Sequence, residues 1–264
     1  MDIAVVGFGP AALYLSSRLA AEGFEVSLFG SMPELLPEFV SQEAVKEFSL
    51  QSFSITPIKR IARFDRNFEL REKFTEGAVI DSNGLLRYLL LRAAKYGVEI
   101  VAGSVVEIGE RIKLKWLEKS FEIEPEFIIM EESCGRSVYG AEVARIPTNP
   151  DTVEYYEAMN MLILPSGETA TVYGNLDFSW HKFENVAVLN VKELFVPPER
   201  NLMEKNLIRV GRAAGHTSEF GWLIEEGLYY GRLLTECLLR YFDGEEGALE
   251  IYRRRGRQKY IKKF

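Results

Sequence analysis

The chain opens on an unbroken apolar run, Ile3-Ala4-Val5-Val6, that stops at two closely spaced glycines, Gly7 and Gly9. Apolarity without alternation is what a parallel strand buried on both faces requires. Pro10 suits the first position of a helix, Leu13, Leu15, Leu19 and Ala20 supply its apolar contacts, and Gly23 marks its stop. Residues 24–29 read as the next strand. The first 30 residues therefore predict strand, tight turn, helix and strand, the βαβ beginning of an α/β fold.

Further along, the pattern predicts a helix over 33–48 and then a mixed polar and aromatic stretch, 52–74, with no clear period. Asp81-Ser82-Asn83 offers capping side chains to a helix carrying Leu85, Leu86, Leu89, Leu90 and Ala93, with Gly97 as its stop. Short strands are expected at 98–101 and 104–108, a hairpin-like pair around 111–123, and a strand at 126–130. From 152 to 196 the character becomes antiparallel, with strands at 153–164, 169–176 and 185–196 separated by Pro165-Ser166-Gly167 and Ser179-Trp180-His181. A short apolar strand at 207–210 leads into the glycine-rich 211–221, a long helix to about Tyr241 and a last helix over 246–258. The expected organisation is a discontinuous α/β domain, 1–150 and 197–264, around a small antiparallel region, 151–196, with a contribution from 40–80.

Composition narrows the function classes. Of 264 residues, 47 % are hydrophobic and 27 % charged, with 17 Phe, 12 Tyr and 3 Trp, enough to bury a core and too apolar for a disordered chain. A net charge of −7 argues against nucleic acid as a partner. Two cysteines, Cys134 and Cys237, cannot form a disulfide framework and point to a reducing, cytoplasmic setting. The N-terminal apolar run is too short for a secretory signal, and no run approaches the roughly 20 apolar residues that span a bilayer. Residues 253–264 carry seven basic side chains and no acid. They read as a solvated helix end or, alternatively, as a peripheral contact with an anionic membrane surface.

The chemistry concentrates in Gly7-Phe8-Gly9-Pro10-Ala11-Ala12, a Gly-x-Gly-x-x-Ala pattern placed between a predicted strand and a predicted helix. There the first glycine makes the turn, the second lets a pyrophosphate approach the backbone, and the last small residue lets the helix pack on the strand. Helix N-terminal N–H groups then hold the anion. A tight turn that binds nothing is the alternative.

The segment VVGFGPAALYLSSRLA followed by Gly23-Phe24-Glu25-Val26 resembles the opening of the FAD-dependent oxidoreductases, especially their geranylgeranyl reductase and aromatic hydroxylase branch. Residues 81–106 resemble that branch's helix and the strand whose backbone meets the adenine, here at Val106. Leu207-Ile208-Arg209-Val210-Gly211-Arg212-Ala213-Ala214-Gly215 is similar to its second flavin motif, and 248–253 to its C-terminal helix. The resemblance implies a Rossmann-like FAD/NAD(P)-binding fold with a reduced antiparallel β substrate region. It implies cofactor contacts from Gly7, Gly9, Pro10, Ala11, Ala12, Gly30, Ser31, Val106, Gly211, Arg212, Ala213, Ala214 and Gly215. It further implies FAD as cofactor and hydride transfer to or from a small apolar substrate such as a prenyl or other lipid. NADP binding, and a flavin-free binding or scaffold protein that keeps the fold, are the alternatives.

Three acids of the family pattern are absent: Gly30-Ser31, Arg212 and Cys134 stand in their places. An arginine accepts no hydrogen bond, but its fork suits a phosphate. His216 would lie near the flavin ring and relay a proton, or else be a polar loop residue capping the next helix. Tyr155, Tyr156, Met159 and Met161 would line an apolar pocket or form sheet core. Cys134 is a candidate reactive thiol, Cys237 a core residue, and His181 a surface histidine. No zinc-ligand spacing and no Gly-x-Ser-x-Gly motif occurs.

Overall fold

Pro10 opens the first helix as its sequence requires, after the glycine turn that ends a strand buried from Ile3 to Val6. In the computed structural model, residues 2–101, 104–109, 111–116, 119–131, 136–146, 148–176, 186–196, 201–216 and 223–256 are described. In chain order they form β1 (Asp2–Val6), α1 (Pro10–Ala21), β2 (Glu25–Phe29), β3 (Glu38–Ser41), α2 (Gln42–Glu47), β4 (Ser54–Phe64), β5 (Leu70–Ile80) and α3 (Ser82–Lys95). Then follow β6 (Glu99–Val101), β7 (Ser104–Ile108), β8 (Ile112–Trp116), β9 (Lys119–Ile123), β10 (Phe127–Met130), β11 (Arg136–Ala144), β12 (Thr152–Tyr156), β13 (Met161–Ser166) and β14 (Thr169–Gly174). The chain closes with β15 (Ala187–Val196), β16 (Met203–Glu204), β17 (Leu207–Arg209), α4 (Ile224–Phe242) and α5 (Ala248–Arg255). None of the described helices is long and apolar enough to cross a membrane.

Two compact units share the chain: residues 1–33, 86–136 and 196–264 form the first, and 34–85 with 137–195 the second. In the second unit the β3–β5–β4 strands from 38–80 join the strands that follow residue 151 through the parallel pairing of β4 with β12.

In the first unit a six-stranded sheet runs β16-β17-β10-β1-β2-β6. Apart from β16, which pairs antiparallel to β17, the strands are parallel. β1 sends its chain towards β2 on one side, and β10 lies on the other, so the order reverses between β1 and β10. In open α/β sheets, ligands bind at the carboxyl ends of strands flanking such a switch point. Ala4, Val6, Phe29 and Ile128 pack with Ile112 and Leu114 of the separate three-stranded sheet β7-β8-β9. Helix α4 crosses α1 at two glycines. A Cβ on Gly227 would fall 2.7 Å from Pro10 Cγ, and one on Gly231 would fall 2.9 Å from the Ala11 carbonyl oxygen.

The second unit holds an eight-stranded sheet in the order β15-β11-β14-β13-β12-β4-β5-β3. The helix expected over 33–48 is corrected here: only Gln42–Glu47 is helical, after strand β3. The physical reason lies in two tertiary contacts and a proline. The Asn83 side chain pairs with both backbone groups of Leu35, at 2.9 and 2.7 Å, and Tyr173 donates to the Pro37 carbonyl at 2.7 Å. Pro37 also disfavours helix at the residue before it. Ser41 then caps α2 by accepting from the Ala44 N–H at 3.3 Å.

The stretch 52–74 without clear period is mostly the long hairpin of β4 and β5. Its turn carries no glycine, and Asp65 Oδ1 instead accepts from the Asn67 and Glu69 N–H groups at 2.9 and 3.0 Å. The single strand expected at 153–164 is two strands, split by a 3-10 turn at Glu157–Met159 that ends on Asn160 with φ +47°. By contrast, α3 starts where its cap predicts: Asp81 Oδ1 accepts from the Gly84 N–H at 2.9 Å.

The α1–α4 crossing yields the first prediction. Alanine favours a helix over glycine by about 1 kcal/mol, yet Gly231→Ala puts its methyl into the Ala11 backbone and should lower unfolding free energy by about 1–3 kcal/mol. Denaturant midpoints of the two proteins measure it, and a rise would refute the close crossing.

Candidate functional site

The predicted glycine turn lies at the carboxyl end of β1, on the switch point. Gly7 adopts φ +119°, a conformation that favours glycine, and its N–H donates to the Phe29 carbonyl at 2.8 Å. Gly9 is the N-cap of α1 and has no side chain to satisfy the first amides of the helix. Those amides are nevertheless satisfied. Ala11 N–H donates to Glu131 Oε1 at 3.0 Å and Ala12 N–H to Glu131 Oε2 at 2.9 Å.

Glu131 follows β10 directly, and the Val6–Met130 register of the parallel pair puts it beside the end of β1. Only 2 % of its surface is exposed. Its own N–H donates to the Val6 carbonyl at 2.9 Å, and its carbonyl accepts from Ala213 N–H at 2.8 Å. Through its side chain one residue thus holds the Gly7–Ala12 turn, and through its backbone it ties the end of β1 to the second glycine turn, Gly211–Ala214, a 3-10 segment that begins with Gly211 at φ +54° and is closed by Gly215 at φ +80°.

Both glycines face the same carboxyl group. A Cβ on Gly9 would lie 2.5 Å from the Glu131 carboxyl carbon, and one on Gly211 would lie 2.6 Å from Oε1. A carboxylate accepting from helix N-terminal amides gains charge-assisted hydrogen bonds and a favourable interaction with the helix dipole.

Of the site residues expected from sequence, the structure brings Gly7, Gly9, Pro10, Ala11, Ala12, Gly211, Arg212, Ala213, Ala214 and Gly215 to this end of the sheet. Arg212 is half-buried within the second turn. Gly30 turns at φ +125° immediately after β2, and Ser31 is exposed. Val106 stands apart, in the three-stranded sheet at an irregularity between Val105 and Glu107. Cys134, Trp180 and His181 lie outside the described residues. Sequence reading missed Glu131. The available signal was an acid at the first position after an apolar strand that a parallel sheet would set beside β1.

For the phosphates of a dinucleotide, the donor set at α1 fits, since it already holds an anionic group. The space does not: the Glu131 carboxylate fills the surface that Gly9 and Gly211 leave open. Among the described residues, no group of three His, Cys, Asp or Glu could hold a metal ion.

His216 is not placed as a proton relay. It is 4 % exposed, its ring stacks on Tyr230 at 3.6 Å, and Nε2 lies 2.7 Å from the Gly256 carbonyl. That carbonyl only accepts, so Nε2 carries the proton, and Nδ1 is buried with no hydrogen-bond partner. Burial pushes the imidazole down to about 4, against a smaller opposite effect of the Gly256 carbonyl. Cys237 is buried in α4, and burial pushes its thiol up. Tyr156 and Met161 are sheet core of the second unit, with Met159 packed against them. The Tyr156 ring stacks on Phe64 at 4.5 Å, and its hydroxyl donates to Glu154 at 2.6 Å. At the start of the basic tail, Arg253 and Arg254 pair with Glu250 at 3.4 and 3.5 Å, while 257–264 lie outside the described residues.

No protein-family model and no curated protein matches this sequence. Solved structures do. A geranylgeranyl bacteriochlorophyll reductase-like protein from Thermoplasma acidophilum superposes with a TM-score of 0.78 at 14 % identity, over 96 % of this chain and 82 % of that one. The p-nitrophenol 4-monooxygenase of Pseudomonas putida gives 0.76 at 15 %, over 97 % and 84 %. The FAD-dependent myxobacterial chondrochloren halogenase gives 0.74 at 13 %, over 98 % and 79 %. The chain has the fold of these flavoproteins, as its resemblance to the FAD-dependent oxidoreductases implies.

A pH dependence follows from His216. The unfolded imidazole, near 6.5, takes a proton at a higher pH than the folded one, near 4. Stability is therefore complete above about pH 6.5 and falls as pH drops towards 4, by on the order of 3 kcal/mol. Urea unfolding between pH 4 and 7.5 should show this slope in the wild type and a flatter one in His216→Gln; equal slopes would remove His216 as its cause.

Proposed function

We propose that this chain, which has the fold of the FAD-dependent flavoproteins, is a flavin-dependent oxidoreductase acting on a small organic molecule, with FAD as its cofactor. One observation carries the reading: two glycine turns converge on the switch point, and the α1 amides between them hold an anionic group. In this reading the Glu131 side chain gives up the Ala11 and Ala12 amides to the cofactor's pyrophosphate, and the Gly211–Gly215 turn supports it from the neighbouring strand. Arg212 contributes a cationic fork suited to a phosphate oxygen. FAD, when bound, supplies a ring that accepts or donates hydride. The chain's own residues bind and orient it, and an apolar, prenyl or lipid-like substrate is the class that the geranylgeranyl reductase resemblance favours. NADP would present the same pyrophosphate to the same turn.

A second reading, a flavin-free protein that keeps the fold, is favoured by the same carboxylate: with Glu131 seated, the α1 amides need no ligand. Titration separates the two. FAD added to the purified chain should be taken up with quenching of flavin fluorescence, and Arg212→Ala should weaken uptake about tenfold, since a lost charge-assisted contact costs at least about 1.5 kcal/mol. Absence of uptake at millimolar FAD would leave the flavin-free reading standing; uptake unaffected by Arg212→Ala would remove only that residue from the contact.

A further inference from the structure

We infer that the Glu131 carboxylate is a built-in competitor for the phosphate of any dinucleotide at the α1 turn: it engages the helix amides that an anion would use, and a dinucleotide enters only by displacing it. The inference rests on reading this turn as the cofactor site and concerns how access to that site is controlled.

The two occupants need the same donors. Ala11 and Ala12 each give their N–H to one carboxylate oxygen, at 3.0 and 2.9 Å, so a pyrophosphate finds both first-turn donors engaged. They also need the same space. The Glu131 carboxyl group lies where a Cβ on Gly9 would be 2.5 Å away, against the surface that a phosphate must approach for the second glycine of the pattern to matter. Co-occupancy would further set two anions side by side in a buried crevice, where repulsion is poorly screened.

Glu131 also gives the glycines a second reason to be glycine. Gly9 and Gly211 are both closed to a side chain by this one carboxylate, so the pattern that reads as nucleotide-binding is required by the protein's own chemistry even when no nucleotide is present. The backbone of Glu131 is fixed on both sides, by its N–H to Val6 and its carbonyl from Ala213. Displacement is thereby confined to the side chain, which can turn out of the crevice without separating β10 from β1 or from the second turn.

Inorganic pyrophosphate and FAD are the two probes, read by thermal unfolding and by flavin fluorescence, with wild type, Glu131→Ala and Glu131→Gln. Pyrophosphate should leave the wild-type unfolding temperature unchanged at millimolar concentration and raise that of Glu131→Ala. The FAD dissociation constant should fall at least tenfold in Glu131→Ala, and by a smaller factor in Glu131→Gln, which keeps the shape of the side chain without its charge. Equal affinity of wild type and both variants for either probe would overturn competition, as would a folded Glu131→Ala that binds neither. If Glu131→Ala fails to fold, Glu131→Gln against wild type carries the comparison with the same two outcomes. A Glu131→Ala protein that takes pyrophosphate but not FAD would uphold competition at the anion site and defeat the flavin reading. Tight FAD binding indifferent to residue 131 would do the reverse.

Discussion

Two N–H groups at the start of α1 are buried, and Gly9, their N-cap, offers no side chain to receive them. Unpaired buried donors are costly, and the positive end of a helix dipole raises that cost until an anion arrives. Glu131 is that anion. Its position dictates the rest of the neighbourhood: glycine at 9 and 211, the strand ends held level by Glu131–Val6 and Val210–Met130 backbone bonds, and a second turn drawn in through Ala213. The first unit is organised around an internal ion held by helix amides at the place where a doubly wound sheet ordinarily opens to a ligand.

Helix α4 secures the same point from the other side. Gly227 and Gly231 let it approach Pro10 and the Ala11 backbone, so the first turn of α1, whose amides meet Glu131, cannot drift. Further out, His216 stacks on Tyr230 and meets Gly256, joining the second glycine turn to α4 and to the end of α5. The neutral histidine is a packing element with one polar contact, and its depressed basicity is a consequence of that burial. The second unit is built on different terms, from antiparallel pairs whose tyrosines and methionines supply core.

The sequence by itself determined the elements whose causes are local. The βαβ opening follows from a continuous apolar run, two glycines and a proline; α3 follows from the Asp81 cap, its leucines and Gly97; and the two glycine turns are legible because positive φ and helix starts leave their mark on neighbouring residues. Tertiary contacts decided the rest. Residues 33–37 avoid a helix because Asn83 and Tyr173 take up their backbone groups, and β4, hairpinned to β5, is drawn into the sheet by β12, a partner that follows residue 151. The occupant of the anion site was hidden for the same reason. Glu131 is 120 residues from the amide it meets, and in the sequence it is only an acid after an apolar run. The pairing of β10 with β1 sets that acid beside Gly9, because a parallel register aligns the carboxyl ends of strands that the linear chain keeps far apart.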